Sequence, residues 1–520
     1  MVKFAGNTIE KVMDFLTKTV LPFFRYRLKQ IESHVMHADA VQQKQLSRLI
    51  DVSKQTEWGK KYDYKSIRNY ETFQERIPIQ QYDDVKPYVE RMLQGEQGLI
   101  WPTPVKWFAK SSGTTNDKSK YLPVSKEILW RCHYKGGFDA VALYLGNNPS
   151  SNFFGRKGLI LGGSHKPVAL NQHAHCGDLS AVLLQQLNPL VNLVRVPPKR
   201  IILMDEWESK IKAIVENTWN KDLNSISGVP SWMLVLIKAL MERTGKESLT
   251  EVWPNLEVFF HGGISFSPYR AQYKALIPSD KMHYVETYNA SEGFFGIQSD
   301  LNDPSMLLTL DYGIFYEFIP MSEIEREQPT VLPLEAVATG VNYAMVITTC
   351  GGLWRYLIGD TIRFTSTNPY KFIITGRTKH FINAFGEELM VDNADKGMAR
   401  ACELTGAKVK EYTAAPQFML NAAQGKHQWF IEFEKMPSSL SEFARILDST
   451  LQQLNSDYEA KRYRGMSLLP PEIIPAREGV FYEWLKEKGK LGGQHKIPRL
   501  SNQRTHIDQL LLLNQNLSDK

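Results

Sequence analysis

The sequence predicts an α/β protein with a large N-terminal body and a small α+β C-terminal domain, and three observations carry that prediction. Short apolar runs closed by Gly-rich turns begin near residue 100, amphipathic helical stretches separate them, and the pattern changes after Ile373-Ile374-Thr375-Gly376-Arg377. Strands alternating with helices imply largely parallel or mixed sheets with flanking helices. At roughly 100–200 residues per domain, 520 residues make two to four structural units. We expect the division at residue 380, with 1–380 binding nucleotide and acid and 381–520 forming a mobile lid.

The elements follow in order. The stretch to about residue 56 reads as helix, with Val12, Phe15, Leu16 and Thr19 on one face and Leu46, Leu49 and Ile50 repeating the spacing. Pro22 is expected to break or kink it. Gly158 to Leu161, Leu256 to Phe260 and Ala344 to Thr349 read as strands, each followed by a paired glycine (Gly162-Gly163, Gly262-Gly263, Gly351-Gly352). Between them, Trp232 to Arg243 carries Leu234, Ile237, Leu240 and Met241 at helical spacing. Beyond residue 380 a helix from Asn393 to Leu404, a strand from Gln428 to Phe433 and a helix from Leu440 to Leu454 suit a small α+β domain.

Composition narrows the function classes. Hydrophobic residues at 43% and charged residues at 23% exclude a disordered or low-complexity chain. The 62 Lys and Arg against 56 Asp and Glu are dispersed, so the concentrated basic face of a nucleic-acid binder is missing. Cys132, Cys176, Cys350 and Cys402 form no CxxC pair and are expected to be reduced, buried thiols. Glu10, Lys11, Asp14 and Lys18 interrupt the apolar N-terminus, and no apolar run approaches the roughly 18 residues of a membrane span. The expectation is a soluble, cytoplasmic protein without nucleic-acid or membrane partners.

The segment richest in chemistry is Ser111-Ser112-Gly113-Thr114-Thr115-Asn116-Asp117-Lys118-Ser119-Lys120, after the largely apolar Val105 to Ala109. Hydroxyls around a glycine, with lysines behind, form a loop whose N–H and O–H donors suit a polyphosphate. The spacing is not that of the Walker loop. Three further segments follow: the loop Tyr288-Asn289-Ala290-Ser291-Glu292-Gly293, then the turn Trp354-Arg355-Tyr356-Leu357-Ile358-Gly359-Asp360 leading to Gly376-Arg377, and finally Gln494-His495-Lys496-Ile497-Pro498-Arg499.

In that order these segments resemble the adenylate-forming superfamily of acyl-CoA synthetases, luciferases and peptide-synthetase adenylation domains. The SSGTT loop, the ASE variant and the QxKxPR ending are most similar to the acyl acid amido synthetases of the auxin-responsive promoter (Gretchen Hagen) type. The loop departs from the plant pattern SSGTSxGxxK at Thr115 and Asp117. The resemblance covers about residues 105 to 500 and implies a ligase that uses ATP and Mg²⁺. A carboxylic acid would be activated as acyl-adenylate and passed to an amino-acid amine, with pyrophosphate and AMP released. The acceptor could instead be coenzyme A, or the chain a non-catalytic homologue.

By the same resemblance, Ser111, Ser112, Gly113, Thr114 and Thr115 hold the β- and γ-phosphates. Tyr288 stacks on adenine within the ATP-binding stretch Tyr288, Asn289, Ala290, Ser291 and Glu292, and Glu292 binds Mg²⁺. Asp360 and Arg377 take the ribose, and Lys496 is the catalytic cation at the α-phosphate. His173-Ala174-His175-Cys176 brings two imidazoles and a thiol within four residues, as a metal site or as lining of the acid pocket. His261-Gly262-Gly263 reads as a strand-end turn or a nucleotide contact. Glu387-Glu388 reads as a solvated pair, and Phe294, Phe295, Phe381 and Phe385 as core.

Overall fold

A computed structural model describes residues 3–112, 119–162, 168–187, 191, 194–204, 206–264, 266, 269–378, 381–419, 424–465, 467–487 and 498–516. The chain divides into two compact units. One comprises Met1–Ser111, Tyr121–Phe266 and Arg270–Thr378; the other comprises Ser112–Lys120, Ser267–Tyr269 and Lys379–Lys520.

The first unit is organised by a sheet of twelve strands among the described residues. Its parallel half runs from the edge through Arg195–Val196, Lys157–Ile160, Leu223–Gly228, Val258–His261 and His283–Ala290. Its antiparallel half continues with Gly293–Gln298, Met306–Leu308, Tyr370–Arg377, Tyr356–Thr367, Asn342–Thr349, Ile314–Pro320 and Leu332–Pro333. Val258–His261 is apolar through Phe260, whereas Leu223–Gly228 and His283–Ala290 mix apolar with polar residues; the following helix Pro230–Thr244 buries Met233, Leu234, Leu236, Ile237 and Leu240. A smaller sheet pairs Trp107–Ser112 in parallel with His175–Gly177.

The opening helix, Lys3–Met36, passes through Pro22 without ending, so of the expected break or kink the break does not occur. A proline removes only one helical hydrogen bond, and the next turns are fastened to the helix Tyr134–Asn147. Phe24 stacks on Phe138 with centroids 4.3 Å apart. Arg27 donates to both Asp139 oxygens at 2.7–3.0 Å and to both Asp311 oxygens at 2.8–2.9 Å. Asp311 also accepts from Lys135 Nζ at 2.5 Å, and against the effect of burial His34, Arg27 and Lys135 hold its carboxyl far below the carboxylate range.

A second buried ion pair lies beside the antiparallel half. Arg355 Nε donates to both oxygens of Glu317 at 3.0–3.1 Å, and both side chains are almost fully buried. Arg355 Nη1 donates to the carbonyls of Gln74 and Ile77, and Tyr70 Oη donates to Glu317 at 3.0 Å. The Arg355 backbone is held in the left-handed region at φ +42°. Glu317→Ala is therefore expected to destabilise the fold by about 3–5 kcal/mol, because a buried guanidinium loses its counter-charge. Denaturant unfolding of the variant measures this; a loss below about 1 kcal/mol would mean that water reaches Arg355.

The second unit pairs Lys408–Phe418 antiparallel with Gly425–Lys435 and adds Glu472–Ala476 in parallel. The helices Val391–Thr405 and Leu440–Leu454 supply Met398, Phe443 and Leu447 to its core. Glu387 is not solvated but fully buried. Its carboxylate accepts N–H bonds from Ala384 at 3.2 Å and Phe385 at 2.6 Å and faces His427 Nε2 at 2.7 Å. Left-handed backbone at Gly386 (φ +89°) and Glu388 (φ +38°) turns it inward, which two adjacent acids in a sequence do not reveal. Phe294, Phe295, Phe381 and Phe385 are core, as expected.

Candidate functional site

The segment from Tyr288 to Glu292, expected as a loop, is a strand and a hairpin turn. Tyr288, Asn289 and Ala290 end the strand His283–Ala290, and Gly293 pairs with Ala290 across the two-residue turn Ser291-Glu292. A side chain at Gly293 would press within 2.8 Å of the Phe295 ring and 2.9 Å of Ile314, so glycine closes the turn. Glu292, half-buried, is thereby held at the tip of a short rigid hairpin. Burial, and then the negative charge of Glu292, raises the hydroxyl of Tyr356 well above the tyrosine range.

Tyr356 to Asp360 likewise lies within a strand, Tyr356–Thr367, and not in a turn. Gly359 at φ +92° bends it, and Asp360 pairs directly with Arg377 on Tyr370–Arg377. Arg377 Nε donates to Asp360 Oδ1 at 2.7 Å. Tyr288 Oη donates to the other oxygen, Oδ2. Tyr288 and Asp360 are four strands apart in sheet order, so the sheet must curl to bring them together. Gly296 permits the curl: a Cβ there would sit 2.6 Å from the Phe372 ring, which packs 6.2 Å from Tyr288 centroid to centroid. Burial and then Asp360 keep Tyr288 protonated far above the usual range. With one donor on each oxygen the carboxylate plane is fixed, and two of its roughly four lone-pair sites stay available for hydroxyl donors.

The neighbouring strand ends complete this corner of the unit. His261 ends Val258–His261 and is buried, its ring stacked 4.1 Å from Phe266. Burial lowers its imidazole to about 3, so it is neutral at pH 7. A side chain on Gly262 would meet the Thr287 carbonyl at 2.2 Å, so Gly262 lets the turn approach the Tyr288 strand. Gly263 follows in the left-handed region at φ +84°, which favours glycine.

Ser111 is half-buried at the end of Trp107–Ser112, and the backbone of Ser112 completes that strand. Gly113, Thr114, Thr115 and Lys496 lie outside the described residues, as does the side chain of Ser112. The structure therefore brings together Tyr288, Asp360 and Arg377, and it sets Glu292 at the turn that follows Tyr288, with Asn289, Ala290 and Ser291 in the connecting backbone.

Among the described residues no group of three or more His, Cys, Asp or Glu is placed to share a metal ion. His173 and His175 do not share a strand face. Asn171 Oδ1 accepts from the backbone N–H of His173 and Ala174, a turn that keeps His173 out of the strand His175–Gly177. His175 instead stacks on Trp107 at 4.7 Å. The donor set at Glu292, one carboxylate on a rigid turn, fits Mg²⁺, which takes one or two carboxylates and draws its remaining ligands from phosphate and water.

Sequence reasoning missed His133. It ends a π-helical turn, Leu129–His133, and is buried with Nδ1 2.8 Å from Asn289 Oδ1. An imidazole 156 residues from its partner carries no local signal.

Comparison with known proteins covers most of the chain. The GH3 family N-terminal domain matches residues 27–282, the central domain 307–377 and the C-terminal domain 392–505. Indole-3-acetic acid-amido synthetase GH3.3 of Arabidopsis thaliana is 24% identical, with 91% of each chain covered. The 4-substituted benzoates-glutamate ligase GH3.12 of the same plant is 22% identical over 92% of this chain and 94% of the relative. Among solved structures, the acyl acid amido synthetase AtGH3.15 in complex with 2,4-DB superposes with a TM-score of 0.61 at 18% identity, covering 94% and 95% of the two chains. 2-Hydroxyisobutyryl-CoA ligase, solved with 2-HIB-AMP and CoA, reaches 0.54 at 13% identity and 93% of each chain. Among the described residues no helix is long and apolar enough to cross a membrane.

Proposed function

We propose, for a chain that belongs to the GH3 family, that it is an ATP-dependent acyl acid amido synthetase. A carboxylate oxygen attacks the α-phosphorus of ATP and pyrophosphate leaves. The amine of an amino acid then attacks the acyl carbon, AMP leaves, and the amine sheds a proton. One arrangement supports this reading above others: Asp360, gripped by Tyr288 and Arg377, lies in the same unit as the Glu292 turn. A fixed carboxylate with free lone pairs suits ribose hydroxyls, and a carboxylate on a stiff turn suits the metal that accompanies polyphosphate.

Under this reading Tyr288, Asp360 and Arg377 hold the nucleoside. Ser111 to Thr115 bind the β- and γ-phosphates, and Glu292 would hold Mg²⁺, which offsets phosphate charge when bound. Asp360 orients the ribose, and with it the α-phosphate, before the acid arrives. Positioning of this kind needs no covalent nucleophile from the protein. The division of labour we propose assigns ATP and acid to 1–380 and the catalytic Lys496 to 381–520, where it acts as a lid residue. The substrates are a small carboxylic acid and an amino acid, and the four free thiols suit a reducing cytoplasm.

Pyrophosphate release from Mg-ATP is expected only when a suitable carboxylic acid is supplied, with AMP as the nucleotide product. Screening an acid library by ATP–pyrophosphate exchange, then offering amino acids and coenzyme A as acceptors, tests both steps. Orthophosphate and ADP as products would overturn the adenylation reading. Thioester formation in place of an amide would overturn the acceptor.

A further inference from the structure

The hairpin that carries Glu292 is gripped from one side by a distorted helix. The backbone N–H of Tyr134 bonds to the Leu129 carbonyl, five residues back, which opens a π-helical turn over Leu129–His133. Such turns are uncommon and recur at functional sites. From this turn two adjacent side chains reach the hairpin, one to each strand. His133 Nδ1 faces Asn289 Oδ1 at 2.8 Å on the strand entering the Glu292 turn. Cys132 Sγ accepts the N–H of Phe294 at 3.1 Å on the strand leaving it. One helical turn later Gly136 lies so close to Phe294 that a Cβ would stand 2.4 Å from the ring.

The chemistry of the histidine is constrained. An amide oxygen only accepts, so Nδ1 carries the proton and Nε2 the lone pair. Burial lowers the imidazole to about 4, which keeps it in that neutral form at pH 7. Nε2 is itself buried and has no hydrogen-bond partner among the described residues. A phenylalanine would fill the same space without leaving an acceptor unsatisfied, so packing alone does not account for an imidazole here. The bond to Asn289, three residues before Glu292, does.

We propose that His133 is a positioning residue for the metal-binding turn: through Asn289, and with Cys132 on the opposite strand, it holds the hairpin so that the Glu292 carboxylate stands ready for Mg²⁺ on the nucleotide. The inference rests on the reading of Glu292 as the Mg-ATP ligand. It makes the π-turn an outer support of that ligand, and loss of such a support typically lowers metal affinity by about 10–100-fold.

The test is titration calorimetry of ATP into the full chain, with Mg²⁺ and with the metal chelated. In His133→Phe the gain in ATP affinity on adding Mg²⁺ falls by about 10–100-fold, while affinity for metal-free ATP and the thermal unfolding midpoint are retained. His133→Gln, which keeps an N–H donor, recovers part of the gain. In a Glu292→Gln background, His133→Phe has no additional effect, because the two residues act in series. Unchanged Mg²⁺ coupling in His133→Phe, or an equal further loss in the Glu292→Gln background, overturns the positioning role and leaves the ligase reading intact. Wild-type protein that binds ATP with no Mg²⁺ dependence overturns the reading of Glu292 and the proposal with it. Should His133→Phe fail to fold, Cys132→Ala releases the other strand of the hairpin and is read in the same way.

Discussion

Lys496→Ala is expected to slow acyl-adenylate formation by about 10²–10³, the usual cost of removing one donor aimed at developing charge. As the carboxylate approaches the α-phosphorus, two anions converge, and an ammonium beside them lowers the barrier. Once the acyl-adenylate exists, that convergence is past, so aminolysis of a supplied acyl-adenylate should keep most of its rate. The two half-reactions are separable by single-turnover measurement, one started from ATP and acid, the other from synthetic acyl-adenylate. Gly492 and Gly493 on one side and Pro498 on the other frame the lysine, a pattern suited to a loop with one stiff anchor. The anchor is visible in the structure: the Pro498 carbonyl accepts from Thr413 Oγ1 at 2.7 Å, and the Arg499 carbonyl accepts the N–H of Ala414 at 2.8 Å. If both half-reactions fall together, Lys496 serves the fold and not the first chemical step.

Asp360→Asn should lower kcat/KM for ATP by about 10–100-fold, from the loss of charge-assisted hydrogen bonds worth about 1.5–3 kcal/mol. The swap keeps shape and packing but removes the anion that Arg377 and Tyr288 both address. The specific sign is in nucleotide choice. The wild-type enzyme should prefer ATP to 3′-deoxy-ATP, because a site built for a hydroxyl discriminates strongly against its absence. In Asp360→Asn that preference should shrink. Retention of full discrimination would show that other groups hold the ribose and that Asp360 serves only to pair Arg377.

Much of the candidate site was legible because its chemistry is local in the chain. The pattern YxxSE places Tyr288 and Glu292 four residues apart, and the pattern YxxGD ends in an aspartate that the next strand's Arg377 meets in register. Strand ends and glycine turns announce themselves through apolar runs and conformational need, so the strands near Gly158, Leu256, Ala344 and Gln428 and the helices near Trp232, Asn393 and Leu440 were readable too. Their setting was not. The two motifs read as a loop and a turn lie in strands, since backbone pairing overrides the polar look of the residues: Asn289 pairs with Phe294 across the hairpin, and Asp360, next to Gly359, pairs with Arg377.

The sequence alone determined the fold class and the family, and it singled out Tyr288, Glu292, Asp360 and Arg377 as candidates, because those rest on periodicity and on short motifs. Tertiary structure decided what no window of sequence contains. It placed Tyr288 on Asp360 across four strands, paired Arg355 with Glu317, carried the first helix through Pro22, buried Glu387 against His427 and set His133 on Asn289. The physical reason is that these contacts join distant parts of the chain. Burying a polar group is costly unless a partner offsets it, and here the partners come from elements separated by tens to hundreds of residues that meet only when the core closes.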